Sequence, residues 1–154
     1  WGRIDSRYNE NGDYILGEND LSLAIRLCRA GSDHRKFIRQ ILVSVDITAP
    51  LYWWKEFDTY KVGTVANSTS TMHKIHSKKF KRKHFVETKD KADWYDIMQM
   101  LPSNYNQKRT ITMNYENLLN MYYARRNHKL DEWHAYCDWI LSLPYTKELF
   151  IKDE

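Results

Sequence analysis

Hydrophobic and polar residues follow two different periods along this chain, and these periods predict a protein that contains both helices and strands. Between Asp20 and Gly31 the apolar residues recur at helical spacing, so Asp20 is expected to cap a helix and Gly31 to end it. From Gln40 to Thr48 the pattern alternates, with isoleucine and valine at the odd-numbered positions. This alternation predicts a strand with one buried face.

Further helices are predicted downstream by the same criteria. Ala49-Pro50 fits the first turn of a helix that continues to about Lys61, because the first turn does not need the N–H that proline lacks. Residues 1–16 carry turn chemistry and are expected to form a lead-in loop or a short strand, and Gly63 to Thr71 is expected to be a hydroxyl-rich loop. The remaining predicted helices run from about Lys89 to Met100, from Asn114 to Arg126 and from Leu130 to Leu143.

Length and composition fit a single domain covering residues 1–154. A chain of 154 residues with 42% hydrophobic content is long enough for one core and short for two. It contains no apolar run of about 18 residues and no pattern of a signal peptide, so a soluble, cytoplasmic protein without membrane contact is expected. Cys28 and Cys137 lack the spacing of metal ligands, which predicts two buried thiols and no metal site.

Charge and motifs narrow the chemistry. The formal net charge is +4, and six cations crowd into the ten residues from Lys74 to Lys83. Such a block favours an anionic partner, and nucleic acid is one candidate. The sequence shows no Ser-His-Asp, HExxH, P-loop or GxGxxG pattern, which removes the motif-based cases for a hydrolase, a zinc protease, a P-loop ATPase and a Rossmann dehydrogenase.

The predicted helix from Asn114 carries two polar residues of interest. At 100° per residue Asn114 and Arg125 point to the same side, and they stand about 16 Å apart along the helix axis. That span suits a nucleotide or an extended cofactor. The alternative is that Arg125 only complements the negative C-terminal end of the helix.

Two stretches of the sequence resemble the flavin-dependent thymidylate synthase superfamily. The first resembles the family's Leu-Pro pair followed by its TxN...LxxxxxLR helix, and the second runs from Gln40 to Ser70 and resembles its RHRxxS...NExSxR signature. The first consists of Leu101-Pro102, Thr112-Met113-Asn114, Leu118-Leu119, Asn120 and Arg125. In the second, Thr59, Tyr60 and Lys61 occupy the RHR positions, and Asn67 and Ser70 match the later Asn and Ser. The chain is therefore identified as a divergent member that lacks the RHR motif.

The resemblance implies an α+β fold with a mixed or antiparallel sheet flanked by helices, assembled as a homotetramer. The family methylates dUMP with FAD, a reduced nicotinamide and methylene-tetrahydrofolate. The implied ligands are thus FAD and a pyrimidine nucleotide, with NADPH and methylene-tetrahydrofolate as further cofactors, and the implied reaction transfers a one-carbon unit or hydride. The implied site residues are Arg125 for catalysis, Ser70 and Arg125 for substrate binding, and Lys61, Asn67, Asn114 and Asn120 for cofactor binding.

The departures from the family pattern leave other functions open. Ser68, Met72, Met98 and Glu116 stand where the family has charged residues, so several anion-binding groups are lost. Each lost hydrogen bond to a charged group costs about 1.5–3 kcal/mol unless it is replaced. The alternative is a catalytically inactive homologue of viral, phage or mobile-element origin that binds a nucleotide, a nucleic acid or a protein partner.

Overall fold

Residues 4–68 and 101–151 are described by the computed structural model. They divide into two units: residues 42–117 hold the main sheet, and the rest of the chain forms the other unit, so the boundary falls inside a helix. The single-domain organisation expected from the length stays a prediction. In chain order the described elements are β1 (Arg7–Tyr8), β2 (Tyr14–Ile15), α1 (Glu18–Arg29), a 3₁₀ helix (Lys36–Gln40), β3 (Leu42–Pro50), α2 (Leu51–Phe57), β4 (Val65–Ser68), β5 (Asn106–Asn114), α3 (Tyr115–Arg125), α4 (Asp131–Ser142) and α5 (Thr146–Phe150).

A three-stranded antiparallel sheet in the order β3-β5-β4 organises the sheet unit. β5 pairs with β3 along all nine residues and with β4 along four. The alternation predicted for β3 is confirmed, because Val43, Val45 and Ile47 are half-buried while their even-numbered neighbours are exposed. In α2 the residues Trp53 and Trp54 are 1% exposed and build the core together with Phe57. The α+β class with an antiparallel sheet and helices is therefore confirmed.

Several predicted boundaries in this unit are wrong. β5 was not predicted as a strand, and β4 lies within the stretch from Gly63 to Thr71 that was predicted as a loop. α2 ends at Phe57 rather than Lys61. The N–H of Asp58 still bonds to the carbonyl four residues back, but those of Thr59 and Tyr60 bond to carbonyls three residues back and tighten the chain into a turn. The helix predicted from Lys89 to Met100 lies outside the described residues.

The other unit begins with a small hairpin, β1 and β2, which fits the expectation of a short strand near the N-terminus. The prediction that Asp20 caps α1 is wrong, because Gly17 is the capping residue and Asp20 is the third residue of the helix. Asp5, on the chain before the hairpin, provides the cap instead: its carboxylate accepts hydrogen bonds from the N–H groups of Asn19 and Asp20, at 2.9 and 3.1 Å. A Cβ on Gly17 would overlap the Asp5 carboxyl group, so this contact requires glycine.

Asp20, on α1, binds in turn to the segment before the hairpin. Its carboxylate is 3% exposed and accepts hydrogen bonds from the N–H groups of Ile4, Asp5 and Ser6, and from the Ser6 hydroxyl at 2.6 Å. The Ser6 hydroxyl and these N–H groups hold the pKa of Asp20 well below its usual range. The first residues are thereby fastened to α1 by two carboxylates that each bind the backbone of the other segment.

The last two helices complete this unit. The buried residues of α4 are Trp133, Tyr136, Cys137 and Ile140. The two cysteines are buried free thiols, as predicted, and burial, with Asp138 nearby, raises the pKa of Cys137 to about 11. α5 was not predicted, and Thr146 ties it to α4 because its hydroxyl donates to the carbonyl oxygen of Ile140 at 2.7 Å. Among the described residues no helix has the length and apolar content needed to cross a bilayer.

We expect Asp20→Asn to destabilise the protein at neutral pH, because the amide offers a weaker acceptor and adds a donor facing the N–H groups of residues 4–6. The carboxylate is ionised in the folded state well below the ordinary aspartate pKa of about 3.9. Its stabilisation is therefore complete above that value and declines as the pH falls below it towards the folded pKa. Urea unfolding at pH 7 and at pH 3 should show that the difference in free energy of unfolding between the parent and the variant is smaller at pH 3.

Asp33→Asn is the matched control, since Asp33 is exposed in the turn after α1. This variant should unfold close to the parent at both pH values. A gap between the parent and Asp20→Asn that widens at low pH would contradict the assignment.

Candidate functional site

Asn114 lies where β5 turns directly into α3. It is the last residue of the strand, so the prediction that the helix begins at Asn114 is wrong by one residue, and Asn114 caps it instead. The N–H of Asn117 donates to Asn114 Oδ1 at 3.0 Å, and the N–H of Asn114 donates to Asn117 Oδ1 at 3.2 Å. This reciprocal pair is a capping box made from two asparagines.

The same Asn117 fixes the loop between α2 and β4. Its Nδ2 donates to the carbonyl oxygen of Val62 at 2.7 Å. Gly63 follows with φ of 73°, and a Cβ at this position would lie 3.0 Å from Asn117 Oδ1 and 3.5 Å from Asn114 Nδ2. The loop that carries Lys61 is thus held against the start of α3 by Asn117, and the close approach at Gly63 favours glycine.

A cavity of about 290 Å³ opens beside this loop, lined by Phe57, Asp58, Tyr60, Lys61, Thr64 and Ala66. Phe57 is 2% exposed and forms an apolar wall, while Lys61 is exposed at the rim. The Thr64 hydroxyl donates to the carbonyl oxygen of Tyr60, which closes the loop on itself. The cavity therefore combines aromatic surface with one cation and one carboxylate.

Asn67 lies on the other face of the sheet. Successive residues of a strand point to opposite faces, so Ala66 shares the cavity face with its partner Ile111, and Asn67 shares the other face with its partner Thr110. That second face is polar and exposed. The structure therefore separates Asn67 from the Lys61 cavity, and the alternation of β5 places Asn114 on the same side as Asn67.

The polar face contains a compact set of hydrogen bonds around Asp46. Its carboxylate accepts from Lys108 Nζ and from the Thr110 hydroxyl, both at 2.6 Å. These two donors, Lys108 first, hold the pKa of Asp46 below its usual range. Ser44 and Thr112 hydroxyls lie 3.2 Å apart further along the same face. The face around Asn67 thus offers neutral and charged hydrogen-bonding groups in a regular row.

Arg125 is the last residue of α3, in the unit without the main sheet. Its guanidinium carbon lies 4.7 Å from the centre of the Trp133 ring, and Trp133 is fully buried. Such stacking restricts the orientation of the guanidinium. Its position at the end of the helix is also that of the alternative in which it complements the helix dipole.

The other predicted site residues are only partly brought together. Asn120 is exposed on α3, and five residues of helix put it about 140° around the axis from Arg125. Ser70 and the block from Lys74 to Lys83 lie outside the described residues. Within the described residues, no group of three or more histidine, cysteine or acidic side chains is arranged to hold a metal ion.

Arg109 is a residue that the sequence analysis missed. Its guanidinium carbon lies 4.4 Å from the centre of the Trp54 ring, and its Nη1 donates to Asp58 at 2.7 Å. Its side chain is 16% exposed although it sits in a run of polar residues. Only the pairing of β5 with β3 and β4 reveals that Arg109 faces the aromatic core, because a strand of this polarity gives a weak signal.

The side chains of the polar face match the hydrogen-bonding groups of a flavin in type. A flavin ring presents hydrogen-bond donors and acceptors, and asparagine amides and threonine hydroxyls match both. Asn114 uses its Oδ1 in the helix cap, and within residues 4–68 and 101–151 no hydrogen bond engages its Nδ2 or the amide of Asn67. The residues therefore fit a flavin edge in type.

This chain resembles known proteins in its fold but matches none of them by sequence. No protein-family model matches the sequence, and no curated protein matches it. Two solved structures of the flavin-dependent thymidylate synthase ThyX from Helicobacter pylori, both with FAD and dUMP, superpose with TM-scores of 0.66 and 0.70. Each is 15% identical to this chain, and each alignment covers 93% of this chain and 85% of the ThyX chain. The chain thus has the fold of flavin-dependent thymidylate synthases.

Two substitutions test the capping role of Asn114. Asn114→Ala removes the cap and should lower the free energy of unfolding by about 1 kcal/mol. Asn114→Asp keeps the acceptor, which is an equally good cap, and removes only the amide donor. Urea unfolding should therefore show a loss for alanine and little change for aspartate. Equal loss in both variants would contradict the capping box.

Proposed function

We propose that this chain is a divergent member of the flavin-dependent thymidylate synthase superfamily that binds FAD and a pyrimidine nucleotide. The observation that carries the proposal is the fold, which matches ThyX structures over 93% of this chain. The order and spacing of Asn114, Asn120 and Arg125 agree with the family helix without a gap. The proposed assembly is a homotetramer, with NADPH and methylene-tetrahydrofolate as further cofactors.

Arg125 is the proposed substrate-binding and catalytic group. A guanidinium presents a fork of N–H donors that fits a phosphate or the carbonyl edge of a pyrimidine. Stacking on Trp133 holds that fork before a ligand arrives, which lowers the entropic cost of binding. In the reaction, Arg125 would stabilise negative charge that develops on the base carbonyl. A bound flavin would supply the redox chemistry.

Asparagine side chains are the proposed flavin contacts. Asn67 and Asn114 share a face of the sheet and offer amide groups there, and Asn120 is exposed on α3. Ser70 is the proposed contact to the substrate phosphate, and Lys61 is the proposed replacement for one of the charges of the RHR motif. The reaction proposed for this site is transfer of a one-carbon unit or a hydride to dUMP or a related nucleotide.

The visible absorbance spectrum of the purified protein, with FAD and then dUMP added, tests the proposal directly. A flavin band that stays with the protein through gel filtration supports it. Arg125→Ala should weaken dUMP binding roughly 10- to 100-fold, because it removes hydrogen bonds to a charged ligand. Arg125→Lys is the matched control, because it keeps the positive charge but lacks the planar fork of donors. Its dUMP affinity should fall between those of the parent and Arg125→Ala.

Unchanged dUMP and FAD affinity in Arg125→Ala, with unchanged urea unfolding, would remove Arg125 from the site. If no flavin binds under any condition, only the similarity of fold stands and the proposal of a flavin-dependent enzyme is overturned.

A second candidate function is nucleic-acid binding, which is favoured by a basic segment in the unit without the main sheet. Residues 26–39 contain five cations (Arg26, Arg29, Arg35, Lys36 and Arg39) and only one acid (Asp33), a net charge that equals the +4 of the whole chain. Arg26 and Arg29 lie in the last turn of α1, and Lys36 and Arg39 are exposed in the 3₁₀ helix. Phosphate backbones bind to such cation-rich surfaces with steep salt dependence.

Arg26→Gln combined with Lys36→Gln tests this candidate. Affinity for a labelled single-stranded oligonucleotide, measured by fluorescence anisotropy over a range of salt, should fall, and the salt slope should drop by about 1.4 for two lost charges. Lys129→Gln combined with Lys147→Gln is the control, because both lysines are exposed in the same unit outside this segment. Equal effects of the two pairs would contradict a specific surface.

A further inference from the structure

We propose that the outer edge of β3 is an interface on which a second copy of this chain pairs its own β3, antiparallel and around a two-fold axis at Val45. Within residues 4–68 and 101–151, β3 pairs with β5 on one side and with no strand on the other. The three-stranded sheets of the two copies would then join into one continuous sheet. This interface needs neither flavin nor nucleotide, and it specifies a contact surface that the proposed homotetramer leaves open.

The outer edge of β3 presents a row of backbone groups that β5 does not reach. In an antiparallel pair every second residue points its N–H and C=O away from the partner strand. In the part of the chain that the structure describes, the backbone hydrogen bonds of Leu42 to Ala49 go only to β5. A row of such groups is a template on which another strand can pair.

Proteins usually protect an exposed edge strand, and β3 carries little protection. The common devices are a short strand, a bulge, a proline or an uncompensated charge. β3 is nine residues long, pairs with β5 in an unbroken register, and reaches its proline only at its last residue, Pro50. Its one charged residue, Asp46, is neutralised by Lys108 at 2.6 Å. The length and regularity of this edge therefore favour a partner strand.

The side chains of β3 specify a partner strand with the same alternation. Its odd-numbered residues from Val43 to Ile47 are apolar and only half-buried, whereas the even-numbered residues are exposed. A partner should therefore add apolar side chains on the first face and polar ones on the second, because residues that face each other across two strands interact directly. β3 itself has this pattern, and a two-fold axis perpendicular to the sheet keeps each face on its own side. A second copy thus fits the edge.

Charge selects the register of the pair. Paired residues point to the same face of a sheet, so the two-fold axis must pass through a residue rather than between two residues. An axis at Asp46 would place the two Asp46 carboxylates directly opposite each other, which is destabilising. An axis at Val45 instead places each Asp46 opposite Ser44 of the other copy, whose hydroxyl can donate to the carboxylate.

Apolar contacts and backbone donors favour the same axis. With Val45 at the centre, Val43 of one copy lies opposite Ile47 of the other, so β-branched side chains meet on the half-buried face. An axis at Ile47 would use Pro50, which has no N–H to donate. The pairing around Val45 extends from residue 42 to residue 48, a length of about 24 Å at 3.4 Å per residue.

Val45→Cys tests the axis directly. The two cysteines would face each other with Cα atoms about 4.5–5.5 Å apart, which is within the range of a disulfide. Oxidised glutathione should therefore convert this variant into a covalent dimer on a non-reducing gel. Ile47→Cys is the matched control on the same face, because its two copies would lie about 14 Å apart along the strands and should not cross-link. The parent should give no covalent dimer, since Cys28 and Cys137 are buried.

Two substitutions of Ser44 test the register by the sign of their effect. Ser44→Asp would place a carboxylate opposite Asp46 of the other copy at two symmetric positions and should weaken the dimer roughly tenfold. Ser44→Lys would place an ammonium there and should strengthen it. Both variants lose the contact between the Ser44 and Thr112 hydroxyls, so each controls for the other. Sedimentation equilibrium without added FAD or dUMP measures the dimer dissociation constant.

Three results would overturn this interface. The first is a parent that is monomeric at high micromolar concentration, whether or not it binds flavin. The second is cross-linking of Ile47→Cys as readily as Val45→Cys. The third is an oligomer whose dissociation is the same in both Ser44 variants, because a homotetramer would then stand on other surfaces. Absence of flavin binding would overturn the proposed enzyme and leave the expected association unchanged.

Discussion

The pairing of β5 with both of its neighbours is the constraint on which the sites of the sheet unit depend. Nine residues pair with β3 and four with β4. Because side chains alternate along a strand, this register sends Arg109 to the face of the aromatic core and Thr110 to the polar face. It also brings Asn114 to the point where the strand becomes a helix. A slip of one residue would exchange the two faces and place a guanidinium in water and a threonine against Trp54.

Charged side chains on the two faces of the sheet differ in their exposure to water. Lys108 and Asp46 form an ion pair that is about half exposed on both sides, and water weakens such pairs. Arg109 is mostly shielded from water and is oriented by a ring, an amide and a carboxylate. Charge is therefore exposed to water on the polar face and largely shielded from it on the face of the aromatic core.

The elements that the sequence predicts well are those whose period is set by one apolar face. β3, α1 and α4 have such faces, and their existence and type are confirmed, with boundaries shifted by a few residues. β5 is not predicted as a strand, because Gln107, Lys108 and Arg109 give it a polar first half. The burial of Arg109 depends on Trp54, a residue distant in sequence, and no local pattern can show it. The prediction for the cap of α1 is wrong for the same reason, because the capping carboxylate belongs to Asp5, which lies before the hairpin and outside the helix pattern.

Agreement with a family motif carries different weight at Asn114 and at Arg125. Asn114 has a local reason to be an asparagine, because a helix that starts directly after a strand needs an acceptor at its first turn. Its match to the motif is therefore explained by the fold alone. Arg125 has a weaker local reason, since any cation at the end of α3 would complement the helix dipole, yet only a planar guanidinium stacks on Trp133 in this way. The proposed nucleotide ligand thus depends more on Arg125 than on the asparagines, because local structure alone explains less of the motif match at Arg125.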